Sequence, residues 1–251
     1  MTLSWSLRRK LVYSTVIFLI SVACVAFIWF KFFSATPTCF DQEQNGVETG
    51  VDCGGACSLV CPLEARAPVV QWVRAFPNGN NVYTAAAYIQ NNNGETGAHA
   101  VRYAFQFFDA DNKLVIEKDG IVDIPPVQTI PIIESNIDVG NRTISRTLFS
   151  FADLPVWQRV PHGSVPNIRI VSQTLSPDAT KLTATIENVL LEDIPRVTVA
   201  AVLFDGQGVA RAASKSTIPL LERASSATVV FTWPQSIEGI KRAEISILPS
   251  F

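Results

Sequence analysis

Histidine, methionine and cysteine are nearly missing from most of this chain: there are two histidines and one methionine in 251 residues, and no cysteine after residue 61. With so little histidine, the commonest general base and metal ligand is almost absent. His99 is read as a turn residue and His162 as part of an interdomain joint, and neither stands in a motif with a nucleophile or a second ligand. Ser164, close to His162, has no third partner and lacks the strand–turn–helix elbow that exposes a nucleophilic serine. No glycine-rich loop connects a strand to a helix, so no phosphate-binding signature is present. Acidic pairs such as Asp109 and Asp111 fall in a turn, where carboxylates are normally solvated. A hydrolase is therefore the weakest functional class. Net charge is also lacking: 20 basic against 22 acidic residues leave −2, with no summed positive field to hold a polyanion, and nucleic acid is not expected as a partner.

One long apolar run is present. Residues 11–30 read LVYSTVIFLISVACVAFIWF without a charge, and about 20 residues at ~1.5 Å each span the roughly 30 Å hydrocarbon core as a helix. Arg8, Arg9 and Lys10 precede the run and Lys31 alone follows it, so the positive-inside bias puts residues 1–10 in the cytoplasm as a short tail. The signal-anchor helix over 11–33 then delivers the rest of the chain to the extracytoplasmic side. Three other readings compete. A buried core helix would show a polar stripe, and this run is apolar all round. A cleaved signal would carry small residues where FIWFKFF stands. Lipoprotein processing at Cys24 is suggested by LISVAC at 19–24, although Ser21 and the apolar residues after the cysteine depart from that pattern. With or without that processing, the rest of the chain stays on the membrane surface.

Cys39, Cys53, Cys57 and Cys61 form a C-x13-C-x3-C-x3-C set just past this helix. An even number of cysteines in an oxidising space predicts two disulfides stapling residues 38–62, a segment too short for its own core. Three pairings satisfy the spacing. A tetrahedral zinc site is the alternative, but paired C-x2-C knuckles are missing. The same loop carries Asp41, Asn45, Glu48 and Asp52, hard-oxygen candidates for calcium among glycines that permit sharp turns. The competing reading is a solvated acidic turn whose side chains bond their own backbone, since the spacing is not that of an EF-hand. No other cofactor is expected.

The string from Cys39 to Cys57 resembles the short module C-x-D-x-x-x-N-x-x-E-T-x-x-D-C-G-G-x-C, found in bacterial surface and membrane-anchored proteins, including single-pass proteins of small-genome bacteria. The resemblance implies location and architecture: a module directly after a membrane helix with β domains behind it. Gln42 stands where that module often has glycine.

Beyond PLEARAP at 62–68, read as a linker, the apolar period is two. Val101, Tyr103, Phe105 and Phe107 alternate with Arg102, Ala104, Gln106 and Phe108, a strand with one buried face. Residues 69–75 and 82–89 are strand-like as well, and NNNGETG at 91–97 reads as a polar turn. The second half repeats this order. Ile89 and Asn91 align with Ile186 and Asn188, Val101 to Phe107 with Val197 to Leu203, Asp109 with Asp205, and Ile124-Pro125 with Ile218-Pro219. Two tandem immunoglobulin- or fibronectin-III-like β-sandwiches are expected, over 67–159 and 165–251, with VPHGSVP at 160–166 as the joint. Both copies resemble FxLYD-like and late-embryogenesis-abundant type 2 domains in the Ile-x-Asn step and the strand ending in Phe-Asp. Those two aspartates are expected to accept backbone N–H bonds in hairpin turns. Trp72, Trp157 and Trp233 are assigned to the core or the interdomain contact, and a ligand platform would instead require one of them to be exposed. NRT at 141–143 matches a glycosylation sequon, relevant only to a eukaryotic secretory pathway.

The expectation is thus a mainly β, single-pass membrane protein that presents two sandwiches to another envelope or surface protein. A calcium- or carbohydrate-dependent adhesin is the alternative.

Overall fold

The computed structural model describes residues 5–33, 37–161 and 167–248. Among these residues one helix, α1, covers Trp5–Phe33 and is long and apolar enough to cross a membrane over Arg8–Lys31, with a mean hydropathy of 2.6. It starts six residues ahead of the apolar run, so most of the stretch assigned to a tail is helical. Leu, Arg and Lys are good helix formers. The Arg9 guanidinium also packs over the rings of Trp5 (4.8 Å) and Tyr13 (5.9 Å), one turn to either side.

The strands, in chain order, are β1 (Val69–Pro77), β2 (Val82–Gln90), β3 (Thr96–Phe108), β4 (Leu114–Ile124), β5 (Thr129–Asp138), β6 (Arg146–Phe151), β7 (Trp157–Arg159), β8 (Ile168–Leu175), β9 (Lys181–Asn188), β10 (Ile194–Asp205), β11 (Ala210–Leu221), β12 (Ser226–Thr232) and β13 (Ile240–Leu248). All pair antiparallel. They make two immunoglobulin-like sandwiches. The first stacks β1-β2-β5 on β4-β3-β6, with β7 extending the β6 side of β3; the second stacks β8-β9-β12 on β11-β10-β13. With β1 set against β8 and so on to β6 against β13, the two strand orders coincide.

The local chemistry repeats too. Val101, Tyr103, Phe105 and Phe107 are buried in the first core, and Val197, Val199, Ala201 and Leu203 in the second. Asp109 Oδ1 accepts the N–H groups of Asp111 and Lys113, as Asp205 Oδ1 accepts those of Gln207 and Val209. Each turn then needs a left-handed residue, supplied by Asn112 and Gly208. Asn91 and Asn188 are both buried, and each bridges the end of its strand to the end of the strand two further on. Asn91 Nδ2 donates to the carbonyls of Thr96 and Pro125, while Asn188 Nδ2 donates to those of Glu192, Leu221 and Glu222. Gly120 lies opposite Tyr103 in the ladder, and a Cβ there would stand 2.8 Å from Cε2 of that ring, so glycine makes room for the tyrosine to lie across β4.

The two sandwiches also pack on each other. The outer face of β1-β2-β5, carrying Phe76, Ala86, Tyr88 and Ile133, meets the outer face of β11-β10-β13, carrying Ala200, Val202, Phe204, Ala210 and Ala213. Alanines on both sides let the backbones approach closely. Trp72 stacks on Tyr88 at 4.6 Å and meets Phe204 edge-on. Two polar clamps flank this contact. Tyr88 Oη donates to Glu244 Oε1 at 2.9 Å, with Arg242 on the other carboxylate oxygen and over the Phe204 ring. Tyr103 Oη and Lys215 Nζ share Glu134 Oε1 at 2.6 and 3.2 Å.

Burial, and then the hydrogen bond to a carboxylate, push both tyrosines well above their ordinary value of 10.0. A raised folded value means stabilisation that is complete below pH 10 and lost as pH rises through the folded value. We expect the melting temperature to fall above about pH 10, and Tyr88→Phe to remove part of that alkaline limb. Titration by circular dichroism checks this.

Candidate functional site

The region that connects helix to sandwiches is the cysteine segment, and its geometry decides how the domains are held. Its disulfides are Cys39–Cys57 and Cys53–Cys61, one of the three pairings open to the spacing. Cys57 is 1% exposed, so the staple forms the segment's own small core. Gly55 has φ +56°, and a Cβ there would run into the Val47 carbonyl, so the Gly54-Gly55 turn cannot carry side chains. Gln42 has φ +63°, a left-handed conformation that glycine would adopt without strain.

The acidic side chains serve the loop itself. Asp41 accepts from Thr38 N–H, Glu43 N–H and Asn45 Nδ2. Both Asp52 oxygens receive Gln42 N–H, and Glu48 Oε2 receives Asn45 N–H and Asp52 N–H. Among the described residues, the cysteine and carboxylate atoms that gather within 4.8 Å are those of Cys39, Glu48 and Cys57; of the calcium candidates Asp41, Asn45, Glu48 and Asp52, that group contains Glu48. Two of that trio are each other's disulfide partner and have no thiolate to give a metal. Asn45 Oδ1 is buried without a donor.

The amide of Asn45, then the N–H groups of Thr38 and Glu43, hold Asp41 below the ordinary aspartate value of 3.8. The N–H of Val209 is the chief cause of the same lowering at Asp205, with burial opposing it and Arg211 and Gln207 adding to it. Depressed folded values give stabilisation present above pH 3.8 and lost as pH falls through them. Melting should therefore hold steady from neutrality to about pH 4 and weaken below it, as calorimetry would show.

The segment is seated on the first sandwich rather than tethered to it. Val60 N–H donates to the Trp157 carbonyl (2.9 Å) and Arg159 N–H to the Ser58 carbonyl (2.7 Å), which lays residues 58–60 beside β7. Val60 and Ala65 join the first core. The stretch read as a linker is bonded as well: Arg66 N–H donates to Asn93 Oδ1, and Asn93 Nδ2 returns a bond to the Arg66 carbonyl. Asn93 in turn donates through N–H and Nδ2 to Asn91 Oδ1. The polar stretch read at 91–97 does join two strands, β2 and β3, and within it the buried Asn91 and Asn93 form an amide relay from the cysteine segment to the end of β4. The repeated Ile-x-Asn was its visible signal.

Losing the Cys39–Cys57 bridge, which closes an 18-residue separation, should cost the segment about 3 kcal/mol. In Cys39→Ser/Cys57→Ser, residues 40–52 should become protease-sensitive while the melting of the second sandwich is unchanged.

The remaining candidates are dispersed. His99 sits on β3 rather than in a turn, at a bulge, with Nδ1 3.7 Å from Asp123. His162 and Ser164 lie outside the described residues. Trp157 and Trp233 are buried in the two cores and Trp72 is half-buried between the sandwiches, so none of the three offers an open ring platform. Asn141 of the sequon is exposed.

No family model and no curated protein matches the chain. Among solved structures, similarity extends to red sea bream transglutaminase (11% identity, 74% of this chain and 29% of that one, TM-score 0.24). It extends also to Bacteroides uniformis β-glucuronidase (14% identity, 61% and 22%, TM-score 0.21) and to the calcium binding domain CBD12 of CALX1.1 (7% identity, 64% and 75%, TM-score 0.18). The chain spans less than a third of the first two.

Proposed function

We propose that the chain is a non-catalytic, membrane-anchored protein whose N-terminus is cytoplasmic and whose two sandwiches stand outside the membrane as a docking body for another envelope or surface protein. One observation carries this reading: an unbroken series of contacts runs from the stapled segment through Asn93 and Asn91 into the first sandwich, and across the Tyr88–Phe204 contact into the second. Residues 34–36 separate α1 from that body, so Phe33 and Pro37 are at most about 15 Å apart. A body held so close to the bilayer and stiffened at each joint suits presentation of a surface in a fixed pose. Disulfides next to the membrane exit fit an oxidising exterior. Two clusters of titratable groups, Tyr103–Glu134–Lys215 and Tyr88–Glu244–Arg242, act as clamps between sandwiches.

Protease added to intact cells should remove the C-terminal half, and cross-linking in membranes should join the sandwiches to a second protein. Protection of that half until lysis, or alkylatable thiols at all four clustered cysteines, would reject the placement.

A further inference from the structure

The first sandwich is open along one side. β1 pairs with β2 alone and β6 with β3 alone, so the outer edges of both strands present backbone N–H and C=O groups that no described strand satisfies. Between these edges and the start of β11 runs a cleft of about 500 Å³. Its floor carries Val73, Ala75, Tyr83 and Ile144, which pack on the first core, while most of the surface open to the cleft is polar. Its rim is basic, with Arg74, Arg146 and Arg211 and no carboxylate in the lining. Arg211 is paired with Asp205 behind the cleft, Arg146 stacks over Phe108, and Arg74 has no acidic partner among the described residues.

Resting on the docking role above, we propose that this cleft accepts an extended segment of the partner protein as an added strand, with apolar side chains facing inward and acidic ones facing the arginine rim. Two unpaired edges specify a peptide backbone, since added-strand recognition draws its affinity from main-chain hydrogen bonds and its selectivity from alternate side chains. The apolar side chains of the floor take every second residue. Guanidinium groups favour carboxylates through charge-assisted, bidentate bonds. A sulfated or phosphorylated glycan would satisfy the rim but leave the floor and the strand edges unused. The cleft lies four or more residues up β1 from the seated segment, about 13 Å or more along the strand, so the strand comes from a protein beside the body and not from the lipid surface.

Full-length protein in nanodiscs would be titrated with an octapeptide alternating valine and glutamate and with its valine–lysine counterpart. The glutamate peptide should bind, and amide exchange at 147–151 of β6 or 73–77 of β1 should slow. The lysine peptide should bind at least about tenfold more weakly, and Arg74→Ala and Arg146→Ala should each weaken the glutamate peptide by a similar factor, the loss expected of one charge-assisted bond. Equal binding of the two peptides, protection confined to β8 or β13, or competition by heparin without strand protection would overturn the proposal. So would tighter binding by the alanine variants, the result expected if the arginines serve merely to keep the edges from pairing. Cross-linking of a membrane partner that persists in Arg74→Glu/Arg146→Glu would sink the cleft while leaving the docking role standing.

Discussion

Asn188→Ala should lower the stability of the second sandwich by about 4 kcal/mol and its melting temperature by roughly 15–30 °C. The side chain is 0% exposed, and Nδ2 donates to the carbonyls of Glu192, Leu221 and Glu222 while Oδ1 accepts Leu190 N–H. Alanine would leave the buried Leu221 carbonyl and three part-buried groups without these partners, and each loss of a partner to a buried group costs about 1–3 kcal/mol. Asn188→Asp is the informative companion, because it keeps an acceptor for Leu190 and removes the donors. It should be nearly as damaging. Calorimetry of the full chain in detergent would show one transition moved and the other held. A shift under a few degrees would mean that the bridge between the ends of β9 and β11 is ornamental.

Val202→Asp should part the two sandwiches without unfolding either. Val202 is 0% exposed, yet it faces the other sandwich and not its own core, which is filled by Val199, Ala201 and Leu203 from the same strand. A lone buried carboxylate costs several kcal/mol, and opening the contact relieves that cost. A protease site placed within 160–167 reads the outcome. After nicking, the parent halves should co-elute and the variant halves should separate. Val202→Ala, which removes methyls and adds no charge, should still co-elute. Co-elution of the aspartate variant would show that the polar clamps at Glu134 and Glu244 hold the pair without the apolar contact.

Much of this architecture is legible in the residues. The uncharged run, the clustered cysteines and the period-two pattern at Val101–Phe107 identify the helix, the staple and a sandwich strand, because each obeys a local rule of burial or pairing. The aspartates at 109 and 205 are equally local, since each bonds N–H groups two and four residues on. Less legible are features that depend on distant chain. The contact between sandwiches announces itself weakly, as loss of alternation: AAAYI at 85–89 and AAVLF at 200–204 are apolar at consecutive positions, the mark of strands covered on both faces. Asn93 looks like any polar turn residue, and nothing near it in sequence reveals Arg66, 27 positions away. The oxygen-rich loop is ambiguous in sequence because carboxylates that cap backbone N–H groups and carboxylates that bind cations are spelled alike; the structure shows the capping bonds of Asp41, Glu48 and Asp52.

The second sandwich rests on the flank of the first, on the sheet face, while the stapled segment occupies a strand end. Four sheets stacked at ~10 Å make a slab about 40 Å across, so the extra domain widens the body along the stacking direction rather than lengthening it along the strands. A molecule that reaches the open edge of the first sandwich therefore meets both domains at once, because the start of β11 borders that edge.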